Sequence, residues 1–136
     1  MCKLLKILSI ACLIILPYQV SAAEIKDSEP LICSVIKAID CGLVGACYEG
    51  TAESLDLPQF IRVDQKKRMI STTKSSSDKK ESQIKNLEKI DGKIFIQGVE
   101  NGRAWSMIID ETSGKMSATV AEERIGFVIF GACTKI

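Results

Sequence analysis

The stretch Asp91 to Cys133 limits what this chain can fold into more than any other. Asp91-Gly92 and Asn101-Gly102 are dipeptides that accept positive φ at both central positions of a type I′ turn, the tight link between paired strands. Asp110-Glu111-Thr112-Ser113-Gly114 suits a longer hairpin with glycine in the left-handed position, and Glu122-Glu123-Arg124 is a polar break. The runs between these breaks have strand length and are rich in β-branched and aromatic residues. Alternation places Ile94 and Ile96 on one face and Phe95, Gln97 and Val99 on the other. Trp105, Met107 and Ile109 share a face, as do Met116, Ala118 and Val120, and Phe127, Ile129, Gly131 and Cys133. Two of the four strands are apolar on both faces, which predicts a sheet that is curled or covered on both sides.

The chain has 136 residues, which suits one domain. Residues 1–23 have the layout of a signal peptide: Lys3 and Lys6, an apolar run from Ile7 to Val20, and the small residues Ser21-Ala22-Ala23 before the expected cut. The apolar run is short for a membrane span and is broken by Pro17. A lipoprotein reading would use Cys12, but the chain stays apolar beyond it. Residues 24–136 are then a single β domain, periplasmic or secreted, with no membrane span. It loses two of the 18 basic residues and none of the 17 acidic ones, leaving one net negative charge. That balance points to neither nucleic acid nor an anionic membrane.

Cys33, Cys41, Cys47 and Cys133 remain after cleavage, an even number in an exported chain, and two disulfides are expected. Three pairings are open. The expected one closes the short loop Gly-Leu-Val-Gly-Ala with Cys41–Cys47 and ties the first strand to the last with Cys33–Cys133. In the chain-entropy description the long loop is worth about 4 to 5 kcal/mol. Pairing Cys33 with Cys41 would need a tight fold-back within one element. Zinc is the other use of four cysteines, but the spacing lacks a C-x-x-C knuckle.

Upstream, Leu31–Cys41 fits both a strand and a helical stripe; strand is preferred because β-branched residues dominate. A loop is expected from Gly42 to Pro58, with a helical turn at 52–57. Strands follow at Phe60–Asp64, Arg68–Thr72 and Gln83–Ile90, the last with Ile84 and Ile90 in phase and Leu87 out. Ser71–Lys80 has no apolar residue and is expected to be a mobile hairpin tip. Lys66, Lys67, Arg68, Lys74, Lys79 and Lys80 make a local basic cluster around it. The expected fold is all-β, a small antiparallel meander or half-closed barrel of about seven or eight strands, stapled by disulfides.

Chemistry-bearing motifs are sparse. The chain has no histidine, which removes Ser-His-Asp and Cys-His catalysis. Ser-x-x-Lys spacing at Ser34–Lys37 and Ser71–Lys74 lacks its companion motifs. Asp110 and Glu111 are adjacent carboxylates at a turn, where aspartate serves the backbone, and Asp64 follows a strand in the same way. No cofactor and no metal site are expected. Trp105 is the only tryptophan, suited to a core anchor beside Phe127 and Phe95 or to the floor of an apolar pocket. A pocket would draw on Trp105 and Met107, with Arg62 and Arg103 as cations at a barrel mouth.

The runs TAESLDLPQFIRVD at 51–64, GVENGRAWSMIIDETSGKMSAT at 98–119 and FGACT at 130–134 resemble a group of small exported bacterial β-rich proteins. The resemblance covers most of residues 24–136 and implies a fold and disulfide frame, with no activity or catalytic residue to carry over. A looser similarity is to the periplasmic inhibitors of lysozyme, small antiparallel barrels whose first strand is joined to the C-terminus by a disulfide. Their serine-glycine and tyrosine-bearing loop motifs are not evident here, so this similarity implies architecture alone. The expected function is a non-enzymatic binding or interaction module for a small ligand or an unknown envelope protein. A hydrolase inhibitor acting through a loop at a barrel end is the alternative, and a carboxylate-based enzyme the least favoured reading.

Overall fold

The computed structural model describes residues 29–72 and 80–136. The strands are β1 (Leu31–Gly42), β2 (Tyr48–Gly50), β3 (Phe60–Asp64), β4 (Met69–Thr72), β5 (Glu81–Ile90), β6 (Lys93–Glu100), β7 (Arg103–Asp110), β8 (Lys115–Ala121) and β9 (Ile125–Lys135). All neighbours are antiparallel. Strands β3 to β9 follow in order, and β9 returns to β1, closing an eight-stranded barrel with β2 as an extra strand. An eight-stranded barrel is just wide enough for side chains to fill it or for one small ligand to fit.

The turns form as their residues require. Asp91 and Gly92 have φ of 50° and 71°, and Asn101 and Gly102 have 47° and 78°. Asp110 Oδ1 accepts from the Thr112 and Ser113 amides and from the Ser113 hydroxyl, and Gly114 takes φ of 70°. The face assignments in β6 to β9 hold, with Ile94, Ile96, Met107, Ile109, Met116, Ala118, Ile129 and Cys133 all buried inward. Curling covers the inner face of these strands only. Outside, Ile108, Val128 and Phe130 stay exposed.

Both expected disulfides are present, Cys33–Cys133 and Cys41–Cys47. Cys33 and Cys133 are direct partners across β1 and β9, so the staple closes the barrel seam.

Several details differ from the sequence reading. The loop at 42–58 contains β2, because the Cys41–Cys47 link turns the chain back along β1, pairing Ala38 with Gly50 and Asp40 with Tyr48. Leu55 N donates to Thr51 O and Leu57 N to Ala52 O, a single helix-like turn at the expected place. Arg68 belongs to a turn, with φ of 51°, and β4 starts at Met69. Strand β5 starts at Glu81, and its register shifts between Ile84 and Asn86. The extra residue reverses the phase, so Leu87 packs on the core and Ile90 is exposed. Ser71 and Thr72 belong to β4 rather than to a mobile tip. The signal peptide, the lead-in 24–28 and segment 73–79 lie outside the described residues.

Candidate functional site: a cavity in one end of the barrel

The two ends of the barrel carry different connections. One holds the turns at 65–68, 91–92 and 111–114, with Pro30 and Ile136. The other holds the disulfide-closed hairpin tip at 43–47, the turns at 101–102 and 122–124, and the start of β5.

Short strands open the second end. Strand β3 pairs with β1 only from Leu31 to Ser34, and beyond it the same edge of β1 is taken by β2. Strand β3 has five residues, against ten in β5. The gap in the wall is covered by the segment 51–59, which buries Ala52 and packs Leu55 and Leu57 on the core. Thr51 and Ser54 hydrogen-bond reciprocally, amide to hydroxyl, and fix this cover.

Beneath it lies a cavity of about 470 Å³, within the range of small-molecule sites. Its walls include Leu55, Leu57, Ile61, Ile70, Trp105, Met107, Ala118, Val120, Phe127 and Ile129. Asp56, Lys80, Glu100 and Arg103 also line it, so its apolar wall carries charges of both signs.

Trp105 is held on two sides. Its ring lies over Gly98, its direct partner on β6, so close that a Cβ on Gly98 would collide with the indole. The indole N–H donates to Ser82 Oγ at 2.8 Å, which satisfies its polar edge. A flat, fixed aromatic wall results, open to the cavity on one face.

Of the four pocket residues expected from sequence, Trp105, Met107 and Arg103 line the cavity and Arg62 does not. Arg62 alternates with the buried Ile61 and Val63 and therefore faces outward, between Ile32 and Ser71. Arg103 Nε donates to Glu122 at 3.0 Å, so its charge is already partnered. Asp40 shares an inward register row with Phe127, and its buried Oδ1 has no hydrogen-bond partner among the described residues. Sequence reasoning missed Gly98, Ser82, Leu55 and Leu57. Gly98 had a usable signal, since glycine inside a strand marks a close approach. The others had none, because they depend on which strands neighbour the cover.

The remaining candidates are dispersed over the barrel. Asp110 sits at the far end from the cavity, and the amide and hydroxyl of Ser113 hold its carboxyl below the usual carboxylate range. Glu111 pairs with Lys89 at 3.2 Å. Ser34 and Lys37 do not meet: the hydroxyl faces Ala132 O and the ammonium pairs with Glu49. The basic cluster is divided, with Lys66, Lys67 and Arg68 at one end of β4 and Lys80 at the other end of the barrel, and Lys74 and Lys79 lie outside the described residues. No cluster of possible metal ligands occurs among the described residues.

The chain matches no family model, no curated protein and no solved structure.

Proposed function

We propose that this protein is an exported, non-enzymatic binding module that holds a small apolar or amphipathic molecule in the open end of its barrel. The observation that carries this reading is the 470 Å³ cavity walled by Trp105 and Met107, beside a cluster of buried core side chains. A ring or short acyl chain would exchange water for the faces of Trp105, Val120 and Phe127, a gain of roughly 25 cal/mol per Å² of apolar surface buried. Its polar end would remain among Lys80, Glu100 and Arg103. The two disulfides suit an oxidising compartment, in keeping with export to the periplasm. The resemblance to small exported bacterial β-rich proteins fits the same reading.

The single tryptophan makes the test direct. Titrating the oxidised protein with a medium-chain fatty acid should change Trp105 emission saturably, with one molecule bound. Val120→Glu, which places a charge in the wall, should abolish the change while the fold persists. An unchanged emission across apolar acids, alcohols and flat aromatic probes would defeat the proposal.

A further inference from the structure

The outer wall of the barrel changes character around its circumference. Segments 95–99 of β6, 104–108 of β7, 117–121 of β8 and 126–132 of β9 contain no charged residue, in a chain of which 26% is charged. The four segments stand in register, with Phe95 beside Ile108, Ile108 beside Ser117 and Ser117 beside Phe130. They form one uncharged block. On the neighbouring walls Arg62 of β3 and Glu88 of β5 point outward. The block also has relief. On β8 the outward side chains Ser117, Thr119 and Ala121 are small, and they form a groove. Ile108 makes a ridge on one side of it, and Val128 and Phe130 make a ridge on the other. These three ridge residues are 40%, 37% and 43% exposed. In the groove the hydroxyls of Ser106 and Thr119 hydrogen-bond to each other at 2.8 Å. They keep that partner when water leaves, so drying the groove strands neither of them.

We propose that this wall is the interface of a symmetric dimer, in which the Val128–Phe130 ridge of each copy lies in the β8 groove of the other. The inference is independent of the cavity reading. Three observations favour a second copy as the occupant. Ridge and groove lie on adjacent strands, so a twofold axis between β8 and β9 seats both ridges at once. Such an axis brings each central residue close to its own mate, which suits a centre without charge. Depletion of charge at the centre, with a polar rim, is also the compositional mark of protein interfaces. The rim here carries paired charges of both signs, Lys37 with Glu49 and Arg103 with Glu122. Area is the third observation. With strands about 4.8 Å apart and outward positions about 6.8 Å apart, the block presents roughly 400 Å². Ile36 and Ile39 of β1 adjoin it at Phe130 and Val128 and bring it to roughly 500 Å² on the same spacings. Two copies then cover about 1,000 Å², the lower bound for a specific interface. The dimer is therefore reversible, with a dissociation constant in the micromolar range.

Sedimentation equilibrium of the oxidised protein over a concentration series tests this. The native chain should pass from monomer to dimer. Ser117→Lys, which puts a charge in the groove of both copies, should raise the dissociation constant at least about tenfold, the scale of leaving a buried charge unpaired. Phe130→Gln, which removes the ridge, should act in the same direction. Both side chains face outward, so both variants should keep the native cooperative unfolding transition. An equal mixture of Ser117→Lys and Ser117→Glu should recover the dimer as a mixed pair. Arg62→Glu, on another wall, should leave the native constant unchanged. A chain that stays monomeric up to about 1 mM overturns the proposal. So does a dimer that Ser117→Lys leaves intact, or one that Arg62→Glu weakens as much. A monomer that floats with phosphatidylcholine vesicles and loses flotation on Ser117→Lys overturns it too, and would assign the wall to lipid.

Discussion

At one end of the barrel Leu31, Cys33, Val63, Ile94 and Ile109 are completely buried, the Cys33–Cys133 staple crosses the seam, and tight turns join the strands. At the other end the same sheet surrounds a cavity, leaves Asp40 Oδ1 without a partner among the described residues, and exposes Leu43 and Val44. None of these three features helps the open end to fold. An unsatisfied buried oxygen costs about 1 to 3 kcal/mol, and an unfilled apolar space forgoes its packing contacts. The comparison teaches that strand length decides the division. Strand β3 reaches only Ser34 of β1, and beyond it the edge of β1 passes to the three-residue β2.

The staples give the sharpest way to break this comparison. Replacing Cys133 by Ser should destabilise the protein by about 4 to 5 kcal/mol, whereas Cys47→Ser, which opens a loop of only a few residues, should cost about 2 to 3 kcal/mol. Denaturant unfolding of the two variants would show it; equal losses would mean that the closed end has no special role. Core truncation offers a second comparison. Ile94→Ala should cost about 2 to 5 kcal/mol, because the site is filled on every side. Val120→Ala, in a wall that already faces open space, should cost no more than about 1 kcal/mol. Similar costs would argue that the cavity collapses in solution.

Much of the closed end was legible in the sequence. The Asp-Gly and Asn-Gly turns, the alternation of Ile94, Ile96, Met107 and Ile109, and the separation of Cys33 from Cys133 each report a local or pairwise constraint. The open end was legible only in fragments. Trp105 and Met107 could be named because they alternate inward at the expected level. Arg62 could not be placed without knowing the phase of a five-residue strand. The phase of Leu87 depended on a bulge at Lys85 that no turn residue announces. Strand β2 was hidden because Tyr48-Glu49-Gly50 has little strand character of its own and forms by being folded back against β1. Residues that form the cover over the cavity, Ala52, Leu55 and Leu57, acquire their role from a gap between strands, which is a property of the closed sheet and not of any one segment.

The most direct test of the central claim, that one end is built for stability and the other to hold a molecule, is a methyl NMR titration with a medium-chain fatty acid. Shifts should appear at Leu55, Leu57, Met107, Val120 and Ile129 and be absent from Leu31, Val63, Ile94 and Ile109. Shifts spread evenly over both ends, or confined to the outer residues Ile108 and Val128, would contradict it.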